Sequence, residues 1–282
     1  MQLRTMTAED IPGGLRLNTL AGWNQTAGDW RRFLESSPSG CFVMEHNRAV
    51  IGTAATIAYE NRFAWIGMVL VDPDYRQQGI GTCLLDRAVD FLDRIPIPAT
   101  RLDATPLGKP LYAKLGFAPE YEIERWILKR EAPPAAATQV GPRLTEAEKG
   151  RIYGLDRELF GADRSFLLRS LAEEAPEFAM AVPADGPPHA YAFGRHGLFA
   201  DHLGPWVARS RPDARELLRE FLVRSPRGTL IVDSVRSNTM ATELLEDSGF
   251  RPSRPLTRMV RGRNAAYGRL DSLCAILGPE FG

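Results

Sequence analysis

Apolar positions along this chain change period repeatedly, and each change marks an element. Residues 64–71, AWIGMVLV, are apolar without alternation, as in a strand covered on both faces. From Ile80 the apolar residues Ile80, Leu84, Ala88 and Phe91 recur at steps of four, four and three, with Asp86, Arg87, Asp90 and Asp93 between them. That spacing predicts an amphipathic helix. Upstream, GCFVMEHNRAV (40–50) and IGTAATIA (51–58) read as two strands around the turn-prone His46-Asn47, a hairpin. Downstream come a short strand over 101–104, a short helix over 108–114, the pair Gly116-Phe117 and a strand over 121–129. Glycine directly after a helix suits a left-handed C-terminal cap.

EAPPAAATQVGP, beginning at residue 131, carries Pro and Ala without apolar periodicity, and so marks a linker over 132–142. Beyond it the pattern returns in weaker form. A helix is expected over 144–160, strands near 178–182 and 190–195, a helix over 212–223, a strand over 229–235 and a helix over 239–247, followed by Gly249-Phe250. Laying one Gly-Phe pair over the other aligns LYAKLGF (111–117) with LLEDSGF (244–250), 133 positions apart. The order of elements is that of a mixed α/β fold, and the alignment predicts that it is duplicated. The organisation is thus 1–131, a linker, and 143–282.

The chain's 282 residues leave room for two domains of about 100–150 residues each. Its 35 basic residues balance 35 acidic ones, so nothing suggests a nucleic-acid or anionic-membrane partner. Arg209, Arg211, Arg215 and Arg219 are interleaved with Asp213, Glu216 and Glu220, which reads as a solvated helix face. Cys41, Cys83 and Cys274 are far apart and form no CxxC pair; neither a disulfide framework nor zinc is indicated. His189, His196 and His202 are spaced by seven and six, matching no common ligand pattern, and no metal is expected. MQLRTMTAED lacks an apolar signal core, and no run reaches the roughly 18 apolar residues of a membrane span. A soluble cytoplasmic protein is expected.

Chemistry concentrates in VDPDYRQQGIGT, residues 71–82. Pro73 ends the strand because it has no N–H to donate. The following segment places consecutive amides at the start of a helix, and Gly79 and Gly81 remove side chains that would keep an oxyanion away. Free N–H groups and the positive helix end together suit phosphate, and Arg76 adds a fixed charge. The P-loop pattern fails for want of a lysine after Gly81, and the dinucleotide fingerprint fails because Leu84 stands where a third glycine belongs.

Arg76-Gln77-Gln78-Gly79-Ile80-Gly81 matches the [RQ]-x-x-G-x-[GA] signature, and LDATPLGKPLYAKLGF (102–117) follows in order. Over residues 3–130 the chain resembles the GNAT acyl-CoA-dependent N-acetyltransferases. The resemblance implies acetyl-CoA as co-substrate, its pyrophosphate on the amides of Arg76, Gln77, Gln78, Gly79, Ile80, Gly81 and Thr82. It places the pantetheine arm along Met68, Val69, Leu70 and Val71, with an amide near Val69 or Leu70 facing the thioester carbonyl. Tyr112 matches the tyrosine expected to protonate the departing thiolate. The strand-four glutamate of many relatives is absent from AWIGMVLV, leaving a water chain, Glu60, Asp29 or Asp103 as base. Trp23, Asn24 and Asp29, with Trp30, lie where the family's acceptor side is expected, and tryptophans beside a carboxylate suit an amine.

The whole chain resembles tandem GNAT proteins, whose second half carries a phrase like Phe160-Gly161-Ala162-Asp163-Arg164. That half is expected to be a degenerate copy. GPWVARSRPDAREL (204–217) lacks the glycine pair, and Leu245 stands at the position of Tyr112. The implied function is transfer of an acetyl group to a primary amine of a small molecule or peptide in a ternary complex. The alternative is a non-catalytic acyl-CoA sensor. The second half would close the acceptor pocket or form a homodimer interface.

Overall fold

The computed structural model describes residues 1–131, 143–183, 187–263 and 268–282, so the predicted linker lies outside the described residues. The chain divides into two compact units. One holds Met1–Pro119 with residues from Met259 to Arg263 and Phe281; the other holds Glu120–Arg258 with residues from Gly268 to Glu280 and Gly282. These units depart from the division expected at 131, because residues 120–131 belong to the second.

In the first unit the elements are β1 (Gln2–Thr5), α1 (Ile11–Ala21), α2 (Ala27–Ser36), β2 (Cys41–His46), β3 (Ala49–Tyr59), β4 (Phe63–Val71), α3 (Ile80–Asp93), β5 (Ala99–Ala104) and α4 (Lys109–Lys114). Strands run in the order β1-β2-β3-β4-β5, antiparallel up to β4 and parallel between β4 and β5. The predicted hairpin turns at Asn47 and Arg48, whose φ of 51 and 63 are both positive, as a primed two-residue turn requires. The stripe on α3 is buried as its spacing predicts: Ile80, Leu84 and Ala88, joined by Leu85 and Leu92, pack on Phe42, Ile51, Ala54, Ala64, Ile66 and Leu102. Burying such a stripe holds the helix far more firmly than its intrinsic propensity would.

The second unit contains β6 (Ala118–Lys129), α5 (Glu146–Phe160), α6 (Ser165–Glu174), β7 (Met180–Val182), β8 (Ala190–His196), β9 (Asp201–Val207), α7 (Arg211–Arg224), β10 (Thr229–Val235), α8 (Thr239–Asp247), β11 (Arg251–Gly262) and β12 (Leu273–Ala275). The last residues of β11, from Met259, belong to the first unit, as do the first two of β6. Strands run β11-β6-β10-β12-β9-β8-β7, and β10 also pairs with β9. Phe178, Trp206, Leu217, Leu218, Phe221 and Leu244 lie at the centre of its core. The sequence reading contained α7, β10 and α8 but neither α6 nor β9, β11 and β12. Two turns confirm the repeat. Gly116 (φ 83) and Gly249 (φ 87) are both left-handed, and Phe117 N donates to Tyr112 O at 3.1 Å just as Phe250 N donates to Leu245 O at 3.0 Å.

Buried charges also hold this unit together. Arg125 donates twice to Asp233, at 2.7 Å each, and Arg164 donates to both Asp156 oxygens, at 3.0 and 2.9 Å, with Tyr191 completing that carboxylate. Burial alone would raise the Asp233 pKa, but the Arg125 guanidinium, and then His202, hold it far below the usual carboxylate range. Removing Asp233 strands a buried cation, so Asp233→Ala is expected to cost about 3–5 kcal/mol by chemical denaturation. Because its folded pKa is depressed, the Asp233 contribution is lost progressively as pH falls from the unfolded carboxylate value toward the far lower folded one, and is complete above about 3.9. An acid titration of stability, compared between wild type and Asp233→Ala, should show the difference shrinking below that pH.

Candidate active site

The parallel pairing of β4 with β5 covers only Ala64↔Thr100 and Trp65↔Arg101. Past Trp65 the two strands part, and the β5-facing edge of β4 loses its ladder partner. On its other edge β4 stays paired with β3, except that Met68 and Val69 together face Ala54, between Thr53↔Leu70 and Ala55↔Gly67. This is a β-bulge, a device that re-aims backbone groups. Met68 takes φ 55 there, a conformation costing about 1–3 kcal/mol for a side-chain-bearing residue. The Thr53 hydroxyl donates to Met68 O at 2.7 Å in a buried setting, which fixes the bulge.

After β4, Asp72 is nearly buried and turns the chain. Its N donates to Ile51 O at 2.9 Å, and its side chain accepts from Asp74 N at 3.1 Å and from Arg16 Nη1 at 2.6 Å. Burial would raise its pKa, but Arg16 and the Asp74 N–H hold it below the ordinary value. Arg16 also donates to Val50 O at 2.8 Å, tying α1 to the base of the loop. Arg76 is exposed, its Nε 3.3 Å from Val71 O.

Gln77 (φ 62) and Gly79 (φ 77) are both left-handed, and residues turned this way gather successive N–H groups into an anion-binding concavity. The first hydrogen bond of α3 runs from Cys83 N to Gly79 O, and Gly79 caps the helix without a side-chain bond. Among the described residues, the N–H groups of Gln77 to Thr82 donate to no protein acceptor. Gly81 is informative because the fold does not demand it. A Cβ there would meet only Val71 at 3.6 Å and Leu111 at 3.9 Å, ordinary contact distances. The missing side chain leaves room for something other than the chain itself.

Leu111 belongs to α4, so its proximity to position 81 sets α4 beside the first turn of α3. Tyr112 follows on the same helix, partly exposed, its ring 6.2 Å from Phe117 in an edge-on contact. Its hydroxyl has no hydrogen-bond partner among the described residues, and burial pushes its pKa up to about 12. The phenol therefore stays protonated across the physiological range.

The expected acceptor wall is arranged differently. Asp29 is fully buried; one oxygen accepts from Thr26 N at 2.7 Å, completing the capping box of α2, and the other accepts from Arg32 at 2.8 Å. This removes Asp29 both as an acceptor contact and as the base. Trp30 is fully buried and Asn24 nearly so, leaving Trp23 partly exposed after the left-handed Gly22 that ends α1. Glu60 is exposed at the β3–β4 turn, and Asp103 is half-buried on β5. Sequence reasoning missed Thr53, Arg16 and Asp72, which hold the site from behind. Only Asp72, ahead of Pro73, carried a readable cue, that of a turn-opening acid.

The second unit repeats this layout with its openings closed. The Ser210 hydroxyl caps α7, accepting from Asp213 N at 3.3 Å and donating to Asp213 Oδ2 at 2.7 Å, and Pro212 removes an N–H from the first turn. A carboxylate occupies the end of the helix where an anion would sit. Leu245 is fully buried in the core. The three nearby histidines are carboxylate partners: His189 with Asp213, His196 with Asp201 and Glu177, His202 with Asp233. Among the described residues no group of three or more His, Cys, Asp or Glu is placed to hold a metal ion, and no helix is long and apolar enough to cross a membrane.

Family models described as "Acetyltransferase (GNAT) domain" match residues 37–119 and again residues 152–274. An uncharacterized N-acetyltransferase of Bacillus subtilis, YitH, is 26% identical over 252 residues, spanning 88% of this chain and 87% of that one. Among solved structures, a candidate acetyltransferase of Pyrococcus horikoshii superposes with a TM-score of 0.82 at 23% identity, covering 100% of this chain and 95% of that one. A GCN5-related N-acetyltransferase of Sphaerobacter thermophilus gives 0.65 at 18% identity, covering 96% and 98%.

The two glycines of the loop should separate by their stability effects. Gly79→Ala forces a Cβ into left-handed backbone and is expected to cost about 1 kcal/mol. Gly81→Ala enters a helical first turn with open space, and should be neutral or stabilising by up to about 1 kcal/mol. Thermal melts of the two variants against wild type check this.

Proposed function

The chain belongs to the GNAT acetyltransferase family as two such domains in tandem, and from that premise we propose that its first unit transfers an acetyl group from acetyl-CoA to a primary amine of a small molecule or peptide. One observation carries the reading. Among the described residues, six consecutive main-chain N–H groups, Gln77 to Thr82, lack protein acceptors at a helix start that follows a strand with an unpaired edge. The helix end and these amides suit the pyrophosphate, with Arg76 adding charge. The edge of β4 from Met68 to Val71 suits the amides of the pantetheine arm.

Acetyl-CoA supplies a thioester whose carbonyl carbon is attacked by the neutral amine. A β4 amide near Val69 or Leu70, aimed by the bulge, hydrogen-bonds the oxygen as negative charge gathers on it; such a preorganised donor is worth about 3–4 kcal/mol. The carbon–sulfur bond breaks as the carbon–nitrogen bond forms, and Tyr112 gives its proton to the departing thiolate. The proton shed by the amine passes through water, and Glu60 and Asp103 remain the candidate carboxylates to receive it. Cys41 and Cys274 are buried, with pKa values pushed up to about 12, and neither suits an acyl-enzyme nucleophile, whereas Cys83 is exposed on α3. The carrier lies in the first unit, and the second serves as a non-binding partner domain.

A second reading, a module that binds an acyl-CoA and transfers nothing, draws on one observation, the absence of any carboxylate along β4. Turnover decides between them. In a broad amine screen with detection of released thiol, at least one amine should be consumed well above the rate of thioester hydrolysis; hydrolysis alone with every amine points to the sensor. Gly81→Leu, which fills the open space of the loop, is expected to abolish acetyl-CoA binding by calorimetry while the protein stays folded. Unchanged affinity would remove the loop as the binding site. Tyr112→Phe should lower kcat by about 10²-fold or more and leave acetyl-CoA affinity intact, whereas full activity would remove Tyr112 as the acid.

A further inference from the structure

We propose that the chain's own segment 272–277 permanently occupies, in the second unit, the groove that the first unit leaves open for the carrier arm. This rests on the reading of that groove given above and goes beyond it by naming the occupant. In the second unit β9 and β10 are the parallel pair, matched at Leu230↔Asp201, Ile231↔His202 and Val232↔Leu203. Beyond Leu203 they part, as β4 and β5 do beyond Trp65.

The wedge so formed is filled. β12 enters it and pairs with both walls: Leu273↔Val207 and Ala275↔Trp206 on β9, and Ala275↔Ser234 on β10. Flanking bonds extend the contact. Ala208 N donates to Ser272 O at 3.0 Å, and Ile276 N donates to Asp233 O at 3.0 Å.

Side chains hold the segment by its backbone, as a ligand's amides would be held. The Ser234 hydroxyl donates to Cys274 O at 2.8 Å, and Asn238 Nδ2, at the start of α8, donates to Leu273 O at 3.0 Å. The walls are cut to receive it. A Cβ at Gly204 would lie 2.1 Å from Ile276 O, so β9 admits this segment only because residue 204 has no side chain. Cys274, Ala275 and Ile276 are 0%, 0% and 1% exposed. A pantetheine arm is an extended chain carrying amides, and an extended peptide presents the same donors and acceptors. With strand partners on both sides and complete burial, the segment is a fixed part of the second unit, which therefore binds no acyl carrier.

Hydrogen exchange of the full chain, free and with saturating CoA, tests this. Amides in 203–208 and 272–277 should exchange slowly in both states and show no response to CoA. Those in 77–82, and the amides of 67–71 that face away from β3, should exchange at least tenfold faster in the free protein and slow when CoA is added, with a calorimetric stoichiometry of one. CoA-dependent protection at 203–208, a stoichiometry of two, or rapid exchange at 272–277 in the free protein would each overturn the proposal. If CoA protects no segment, the reading of the first unit fails, while slow exchange at 272–277 still supports the occupant. Gly204→Ala supplies the lever. It should speed exchange at 272–277 at least tenfold and make Cys274 reactive to a thiol reagent, where wild type yields Cys83 alone. Asn238→Ala, which removes one anchor together with the side-chain cap of α8, should do the same to a smaller degree if Gly204→Ala does not fold. Unchanged exchange and thiol reactivity in both variants would overturn the assignment.

Discussion

Main-chain N–H and C=O groups taken out of water need partners, and this constraint bears hardest where two parallel strands part company. A ladder that ends after two or three rows leaves two walls of donors and acceptors facing a wedge. In the first unit, among the described residues, the β4 wall stays open past Trp65, and the neighbouring amides at the start of α3 are open with it. In the second unit the equivalent wedge holds β12, and the equivalent helix start is closed by Ser210 and Asp213. The difference between the two units at this place therefore comes down to what satisfies the backbone at one divergence.

Open amides are useful only if they stay where they are. Two residues of the site hold left-handed backbone without being glycine, Met68 and Gln77, and each such conformation needs its surroundings to enforce it. Thr53 enforces the first through Met68 O. The loop containing the second is braced by Asp72, which Arg16 grips from α1 while also holding Val50 O. These supports lie behind the loop and leave its front free. Preorganisation of this kind spares a ligand the ordering of the loop at the moment of binding.

Much of this was legible in the letters. VDPDYRQQGIGT announces a strand stop, a glycine-bearing loop and a helix start, because proline and glycine each have a fixed backbone meaning. The stripe of α3 and the Gly-Phe turns were equally plain. Other parts carried no such mark. β9 contains Asp201, His202 and Pro205, polar and turn-prone residues that mask its strand pattern. It is a buried strand because Ser225 and His196 satisfy Asp201 and Asp233 lies against His202, partners far off in sequence. The bulge at Met68 depends on the register of β3 against β4, which no local pattern encodes. Asp29 shows the opposite case. Thr26-Ala27-Gly28-Asp29 has the spacing of a capping box, and a carboxylate in that position belongs to the backbone of its own helix before it can serve a ligand. Two units were expected, but their boundary falls inside β6, at 119/120, and again inside β11, a matter of topology that local pattern does not encode.

The replacement of Tyr112 by Leu245 in the second unit follows from the same filled wedge. On α4 the phenol is partly exposed and its hydroxyl has no partner among the described residues, a state that water or a ligand relieves. On α8 the matching position is fully buried against the core. A hydroxyl there would be desolvated, at a cost of about 1–3 kcal/mol if left unpaired, whereas leucine gains from the same burial. Once a strand of the chain fills the groove, an apolar residue at 245 is the more stable choice. The buried leucine at 245, the capped helix and the absent glycine pair are each compatible with a filled groove, and at this end of the second unit they reinforce one another.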